Sequence, residues 1–176
     1  MSSINLKDKA NLIWAVADLL RGDYKQADYG KVILPLTIIR RLDCVLESTK
    51  QTVLDYLPKI DSMELQNADR VLNQKSGYNF HNRSKYDFPS LIADPNNLAS
   101  NLRNYINGFS NNAREIIEYF NFDEQITRLN QADLLYQVVK HFQEFDLHPT
   151  TVSNIEMGYL FEELIRKFAE ISNETA

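Results

Sequence analysis

The feature that most constrains the fold of this chain is the spacing of its apolar residues, which alternates between three and four along most of its length. Residues 153–176 show it most clearly, through five apolar side chains: Met157, Phe161, Leu164, Phe168 and Ile171. Because a helix turns once every 3.6 residues, these side chains lie on one side of a helix and need a surface that buries them. Ser153 and Glu156 have the spacing of a capping box, which predicts that the helix begins there.

Earlier parts of the chain repeat this pattern. A first helix is predicted through Leu6, Ala10, Ile13, Ala17 and Leu20, and Gly22 should end it. A second helix is predicted through Val32, Leu36, Ile39, Leu42 and Leu46. Pro35 falls inside this second helix, and we expect a kink or a restart there because proline lacks an N–H group and clashes with the preceding turn.

Further segments of the same kind fill most of the remaining chain. In one of them, Ser110 is predicted to cap a helix whose Ile116, Ile117 and Phe120 face inward. About seven or eight helical segments, with hardly any alternation of period two, predict an all-α fold. We expect an irregular bundle with short connections, in which residues 1–152 form one helical domain and residues 153–176 form a terminal helix.

Residues 78–88, with the sequence YNFHNRSKYDF, are the least helical part of the chain and predict a tight loop or a short hairpin. In one interpretation, the aromatic residues fill the core and the polar turn is solvated. In the other, this segment contacts nucleic acid, with Arg83 and Lys85 on phosphates and with Asn82 or Tyr86 orienting them. The sequence leaves both interpretations open.

Two adjacent arginines, Arg40 and Arg41, lie within the second predicted helix. Neighbouring residues on a helix point about 100° apart, so we expect that both arginines cannot be buried. They are interpreted either as surface charges paired with Asp43 or Glu47, or as contacts to a phosphate or a partner protein.

The formal net charge of −5 argues against a protein that binds nucleic acid on its own, because such binding depends mainly on neutralising phosphates with Lys and Arg. The charge is unevenly distributed. Residues 1–90 hold 13 Lys and Arg against 11 Asp and Glu, whereas residues 91–176 hold 6 against 13. Any contact with DNA is therefore expected in the first half.

The sequence lacks residues that several classes of protein require, which disfavours those classes. Cys44 is the only cysteine, which excludes an internal disulfide and a cysteine metal cluster, and its apolar surroundings predict a core thiol. The three histidines, His81, His141 and His148, have no metal-ligand spacing, so we expect no metal site. No run approaches the length of a membrane span and the N-terminus lacks the order of a signal peptide, so we expect a cytoplasmic protein without membrane contact.

Several blocks in order resemble a known family. They are ADYGKVILPLTIIRRLDCVLE (27–47), the aromatic-Asn-x-Ser-Lys segment near residue 82, NYINGFSNNAREIIEYFNF (104–122), DLHPTTVSN (146–154) and MGYLFEELIRKFAEISNETA (157–176). Together they resemble the N-terminal helical domain of the modification (M) subunits of type I restriction-modification systems, which are adenine-specific DNA methyltransferases. Residues 49–77 are the least similar to the family.

This resemblance implies an enzyme that, when whole, transfers a methyl group from S-adenosylmethionine to the N6 atom of adenine in DNA. The family binds its cofactor at a Gly-rich turn and the extruded base at an Asn-Pro-Pro-aromatic motif. Neither occurs here, so we expect no cofactor and no catalytic residue in this chain. We expect both motifs in a catalytic domain that follows Ala176.

The resemblance also implies partners: a specificity subunit, a second modification subunit, a restriction subunit and duplex DNA. The helical domain is expected to help close the assembly around DNA, with a basic edge of Arg40, Arg41, Arg83 and Lys85. The apolar side of the terminal helix is expected to couple this domain to the catalytic domain.

A competing interpretation is a stand-alone helical module that binds a basic protein through its acidic second half and has no role in methylation. Fold alone does not decide between the two. An exposed apolar stripe on the terminal helix would fit either, because a missing domain and a missing partner leave the same surface. A third possibility, a domain that binds DNA unaided, is disfavoured by the net charge.

Overall fold

The computed structural model describes the backbone of residues 3–175 and the side chains of residues 5–171. Within these bounds the chain forms α-helices and short 3₁₀ turns and contains no β-strand, which confirms the all-α prediction. In chain order the helices are α1 (Ser3–Trp14), α2 (Ala17–Leu20), α3 (Gly30–Leu46), α4 (Lys50–Tyr56), α5 (Leu65–Ser76), α6 (Phe88–Ile92), α7 (Leu98–Asn107), α8 (Asn111–Tyr119), α9 (Phe122–Gln131), α10 (Leu135–Gln143) and α11 (Asn154–Thr175).

Helix α3 is the centre of the bundle, since α1, α8, α9, α10 and α11 all pack against it. Most of its residues are buried, including Val32, Leu36 and Ile39. The helix continues through Pro35 without restarting, so the expected restart is wrong. A helix enclosed by five neighbours gains enough from burial to offset the hydrogen bond that proline removes.

The terminal helix α11 packs along α1, against α3 and against a 3₁₀ turn at Gln26–Asp28. Its predicted capping box is confirmed: the Ser153 N–H donates to Glu156 Oε1 at 3.1 Å, and the Glu156 N–H donates to Ser153 Oγ at 3.2 Å. Phe168 lies so close to the first residue of α3 that a Cβ at Gly30 would be 2.8 Å from its ring. The glycine therefore allows the terminal helix to approach α3.

A second, smaller core lies between α4, α5 and the turn that joins them. It consists of Val53, Ile60, Ala68 and Leu72 and is separate from the main core. Helix α5 ends at Gly77, whose φ of +83° is a left-handed conformation that glycine adopts readily. This unit is joined to the main bundle at both ends, by a 3₁₀ turn at Glu47–Thr49 after α3 and by residues 78–87 before α6.

Residues 78–87 form the predicted non-helical segment, and Phe88 begins α6. The segment pairs with the turn between α7 and α8 instead of with itself. The Arg83 N–H donates to the Gly108 carbonyl at 2.8 Å, and the Ser110 N–H donates to the His81 carbonyl at 2.9 Å. A Cβ at Gly108 would lie 2.7 Å from both Asn82 Oδ1 and the Ser84 nitrogen, so this close approach requires glycine.

None of the helices in the part of the chain that the structure describes is long and apolar enough to cross a membrane. The expectation that a catalytic domain follows Ala176 lies outside the described residues.

Candidate interaction surfaces

Arg40 lies inside the fold, with 13% of its side chain exposed. Its guanidinium donates to the carbonyls of Phe145 at 3.0 Å and Gln143 at 2.9 Å, and to Asp43 Oδ2 at 3.1 Å. It also lies 5.2 Å from the centre of the Phe88 ring. The predicted pairing with Asp43 is confirmed, and Arg40 uses its remaining donors to fix the end of α10 to α3.

Arg41 is 7% exposed and binds a different part of the chain. Its guanidinium donates to the carbonyls of Leu147 at 2.8 Å and Val152 at 2.6 Å, and to Asn154 Oδ1 at 3.0 Å. Leu147 and Val152 are themselves fully buried. Arg41 therefore holds the connection between α10 and α11 and sets where the terminal helix begins.

The expectation that Arg40 and Arg41 cannot both be buried agrees with the structure, since Arg41 is buried and Arg40 is partly exposed. The two side chains do diverge, but each meets backbone carbonyls of the segment that wraps around this part of α3. A buried guanidinium is stable when its donors find acceptors, and both side chains satisfy this condition. A phosphate could bind either guanidinium only by replacing some of these contacts.

Asn82 is also buried, at 3% exposure. Its amide nitrogen donates to the Tyr105 carbonyl at 2.9 Å, and its side-chain oxygen accepts from the Ser84 N–H at 2.7 Å. These bonds shape the loop against α7. Asn82 was expected to orient a phosphate contact, but its side chain faces the interior because the loop needs it for its own turn.

Arg83 is half-buried and joins the loop to α5. Its Nη2 donates to Asp69 Oδ1 at 2.7 Å, and its Nε donates to His81 Nε2 at 3.3 Å. The other ring nitrogen of His81 lies 2.7 Å from the Asn73 side-chain oxygen, so neutral His81 carries its proton on Nδ1. Burial and the nearby Arg83 lower the pKa of His81 to about 4.

Lys85 and Tyr86 are the outermost of the predicted contact residues. Lys85 is exposed, Tyr86 is half-buried, and the Lys85 ammonium lies 5.2 Å from the centre of the Tyr86 ring. Among the described residues, Lys85 forms no ion pair with a carboxylate. Of the six residues predicted to contact DNA or a subunit, Lys85 is exposed, Arg40, Arg83 and Tyr86 are partly exposed, and Arg41 and Asn82 are buried.

The predicted apolar side of α11 does face the protein. Leu164 is buried, and the other four members are half-buried: Met157, Phe161, Phe168 and Ile171. The pattern missed Leu160, which is fully buried. Much of this side is thus covered by α1 and α3 of the same chain. The apolar residues of α11 that point outward are Ile155, Tyr159 and Ile165.

A polar cluster lies beneath Arg40, and it was not predicted from the sequence. Asp43 is buried, accepts from the Tyr105 hydroxyl at 2.7 Å, and accepts from the Phe88 N–H at 3.4 Å. Burial raises the pKa of Asp43 and lowers the pKa of Lys50, which lines the same cavity of about 90 Å³. The only available signal was the i, i+3 spacing of Arg40 and Asp43, because the partner Tyr105 lies 62 residues away.

Helix α8 differs from its prediction on one side. Ile117 is buried and Phe120 is half-buried, but Ile116 is 51% exposed, so its predicted inward orientation is wrong. Ala113 and Ile117 define the side that faces the core, and Ile116 lies about 100° away from Ile117. Tyr119, on the outer side, is 82% exposed.

The described residues contain no group of three or more His, Cys, Asp or Glu side chains that could hold a metal ion. The His148 side chain forms a hydrogen bond within its own turn, since its Nδ1 accepts from the Thr150 N–H at 3.1 Å. Cys44 is buried, and burial raises the pKa of its thiol. This placement agrees with a core thiol.

A family model described as the HsdM N-terminal domain matches residues 9–142, about three-quarters of the chain. A search of curated proteins finds no match. The matched region begins in α1 and ends in α10, and so includes both arginines of α3 and the loop before α6. The chain therefore belongs to the family of N-terminal domains of type I restriction-modification M subunits.

Proposed function

We propose that this chain is the helical domain of a modification subunit that, when whole, transfers a methyl group from S-adenosylmethionine to adenine N6 in DNA. The family match over residues 9–142 carries this proposal, because the M subunits of this family are methyltransferases. The chain contains neither a G-x-G spacing nor an Asn-Pro-Pro sequence. We therefore assign cofactor binding and catalysis to the rest of the subunit.

Within that subunit, we assign the chain a role in assembling the complex around DNA. Its partners in this proposal are the specificity subunit, a second modification subunit, the restriction subunit and duplex DNA, in the cytoplasm. Most polar groups expected to face a partner are used inside the fold, as Arg40, Arg41 and Asn82 illustrate. Contacts between proteins should therefore contribute more than contacts with phosphate.

The direct DNA contact that we propose is small and lies at the loop before α6. Lys85 and Tyr86 supply an exposed ammonium beside an aromatic ring, and Arg83 supplies a guanidinium on the same loop. Arg114 lies near Arg83, because both line a groove at the start of α8. Phosphate contacts of this kind position a protein on DNA without reading its sequence.

We assign coupling to the catalytic domain to α11, and each side of this helix has its own part in the coupling. The inward side, with Leu160 and Leu164, fixes the helix to α1 and α3. The outward residues Ile155, Tyr159 and Ile165 provide apolar surface that a following domain can bury. Because Arg41 fixes the start of α11, a movement of α3 would be transmitted to the terminal helix.

The test of the proposed function is methyl transfer by the full-length gene product, assembled with its specificity subunit. Duplex DNA that carries the target site is incubated with S-adenosylmethionine labelled on its methyl group, and the modified base is identified by mass spectrometry. We expect N6-methyladenine only when both subunits and the cofactor are present. An assembled complex that transfers no methyl group to adenine would overturn the proposal.

The alternative is a stand-alone interaction module without a role in methylation, supported by the acidic, partly apolar surface of α8 and α9. Under this alternative, the full-length gene product binds a basic protein but binds neither S-adenosylmethionine nor the specificity subunit. Isothermal titration of the gene product with each of these two ligands distinguishes the alternatives.

A further inference from the structure

Helices α4 and α5 form an arm, residues 50–76, whose apolar core is separate from the main core of the bundle. No apolar residue of this arm belongs to the main core. The two ends of the arm lie together, because Thr49 Oγ1 donates to the Ser76 carbonyl at 2.8 Å. The arm is therefore a compact unit whose two connections to the bundle lie side by side.

The side of α5 that faces the loop before α6 is polar. Three of its side chains, spaced four and three residues apart, bond this loop: Asp69, Asn73 and Ser76. Ser76 Oγ donates to the Phe80 carbonyl at 2.7 Å, and the Asn73 side-chain oxygen accepts from His81 Nδ1 at 2.7 Å. Asp69 Oδ1 accepts from Arg83 Nη2, also at 2.7 Å. Hydrogen bonds thus join the arm to the loop, and water can replace them when the arm moves away.

A polar cavity of about 90 Å³ lies between the base of the arm and the bundle. Lys50 and Val53 line it from the arm, and Asp43 and Tyr105 line it from the bundle. A cavity of this size and polarity has room for water. Because the arm shares no apolar core with the bundle, moving the arm exposes little apolar surface. We expect the arm to open at a lower free energy than the bundle unfolds.

Arg83 is the cation of the loop that this movement would release. Its side chain is 34% exposed and that of its partner Asp69 is 32% exposed, so solvent reaches the pair. Arg83 Nη1 forms no hydrogen bond with a described residue, and it offers a phosphate a first contact. A partly exposed ion pair contributes little stability, and an anion that binds a guanidinium at two nitrogens gains more than one that binds at a single nitrogen. A phosphate can therefore compete with Asp69 for Arg83.

We propose that Asp69 makes an autoinhibitory contact, because it holds Arg83 on the closed arm and so keeps this guanidinium from a DNA phosphate. The proposal rests on the DNA contact that we assign to the loop before α6. When DNA binds Arg83, the arm loses its ion pair with the loop and opens more readily. By linkage, closing of the arm weakens DNA binding by the same factor by which DNA weakens closing.

The first test measures binding of a fluorescent DNA duplex to the assembled modification complex that carries Asp69→Asn. Asp61→Asn is the matched control, because Asp61 is exposed on the same arm and forms no ion pair with a described residue. We expect Asp69→Asn to raise DNA affinity by about fivefold or more and the control by less than about twofold. The slope of log affinity against log salt should steepen by about 1 for Asp69→Asn, since Arg83 gains a phosphate. Equal gains for the two variants, or no gain for Asp69→Asn, would overturn the proposal.

A double variant shows whether the effect passes through Arg83. Asp69→Asn combined with Arg83→Gln should bind DNA no more tightly than Arg83→Gln alone. A gain that persists in the double variant would overturn the proposal, because Asp69 would then act through its charge alone. Circular dichroism verifies that all variants are folded.

The proposed function is tested separately in the same samples. Lys85→Glu tests the DNA contact of the loop, and formation of N6-methyladenine by the wild-type complex tests methyl transfer. A failure of either therefore differs from a failure of the autoinhibitory contact, which shows only in the comparison of Asp69→Asn with Asp61→Asn.

A second test follows the arm by hydrogen exchange in the wild-type complex. Without DNA, we expect the amides of α5 to exchange faster than those of α3 at the centre of the bundle. On addition of DNA, exchange in α5 should accelerate by about twofold or more while exchange in α3 stays the same. In Asp69→Asn, DNA should cause no further acceleration. Slower or unchanged exchange of α5 in the wild-type complex on addition of DNA would overturn the proposal, because DNA would then bind the closed arm.

Discussion

Cations occupy two contrasting settings in this molecule, the middle of α3 and the loop before α6. On α3, Arg40 and Arg41 are enclosed and donate to carbonyls of a segment more than 100 residues further along the chain. On the loop, Lys85 is exposed, and its ammonium lies beside the ring of its neighbour Tyr86. Arg83 lies between these extremes, half-buried and paired with Asp69.

This comparison teaches that a basic residue is available to a partner only when the fold leaves its donors unused. Arg41 has at least three acceptors within the chain, so a phosphate would have to replace contacts that already compensate for its burial. Lys85 has an ammonium in water and can exchange water for phosphate at little cost. Arg40 and Arg41 should thus control stability, and the exposed Lys85 should control binding.

The largest effect is expected from Arg41→Met. The variant leaves the buried carbonyls of Leu147 and Val152 without their donor, and each such loss costs about 1 to 3 kcal/mol. We expect the free energy of unfolding to fall by at least about 3 kcal/mol. Urea denaturation followed by circular dichroism measures it. Lys85→Met, the matched control, should stay within about 0.5 kcal/mol of the wild type. A loss below about 1 kcal/mol for Arg41→Met would contradict its structural role.

The next largest effect is a pH dependence that arises at His81, where the loop meets α5. Burial and Arg83 lower the pKa of folded His81 from 6.5 to about 4, while Asp69 acts in the opposite direction. Between these pH values the unfolded chain binds a proton that the folded chain does not. Stability should therefore fall as the pH decreases through this window, by up to about 3 kcal/mol.

This effect is isolated by comparing the wild-type protein with His81→Gln in urea denaturation at pH 7 and pH 4.5. Other groups titrate over the same range, so the informative quantity is the difference between the two proteins. We expect the wild type to lose more stability on acidification than the variant does. Identical losses would indicate that His81 titrates normally in the folded protein.

A smaller effect is expected where the loop meets the turn after α7. In Gly108→Ala, the new methyl group would lie 2.7 Å from the Ser84 nitrogen, so the backbone must move, at about 1 to 3 kcal/mol. Gly158→Ala is the matched control, because no atom lies within 4 Å of its new Cβ and the site is inside α11. The control should gain up to about 1 kcal/mol. Thermal unfolding of both variants checks the opposite signs.

Structural features that depend on residues close together in the sequence could be predicted. The capping box of α11 follows from residues one turn apart and agrees with the structure. The apolar residues predicted to line the first helix are buried, but the single helix predicted there is wrong, because α1 ends at Trp14 and Ala17 begins α2. The orientation of Ile116 could not be obtained in this way. Ile116 and Ile117 are equally apolar, and only the position of α8 in the bundle decides which of them is buried.

The internal contacts of Arg40 and Arg41 could not be predicted for a related reason. Their acceptors are main-chain carbonyls, which every residue has, and these lie 103 to 111 residues away along the chain. No side-chain pattern marks which carbonyls a fold will place beside a guanidinium. The pairing of Arg40 with Asp43 was predictable because it is local, at a spacing of three.

The smallest effect is expected from Lys85→Glu in the assembled modification complex. This variant directly tests the exposed cation of the loop before α6. Stability should change by less than about 0.5 kcal/mol, since the side chain is exposed. DNA affinity should fall, and the slope of log affinity against log salt should decrease by about 1 for the lost phosphate contact. Lys140→Glu, an exposed lysine on α10, is the matched control for the change in charge. If both variants bind DNA with the same affinity and salt dependence, long-range charge alone acts on DNA, and the loop before α6 makes no phosphate contact. If only Lys85→Glu weakens DNA binding, the loop before α6 contacts DNA directly. A cation of this domain is then available to DNA when its charged group is exposed, whereas the guanidinium groups of Arg40 and Arg41 are used inside the fold.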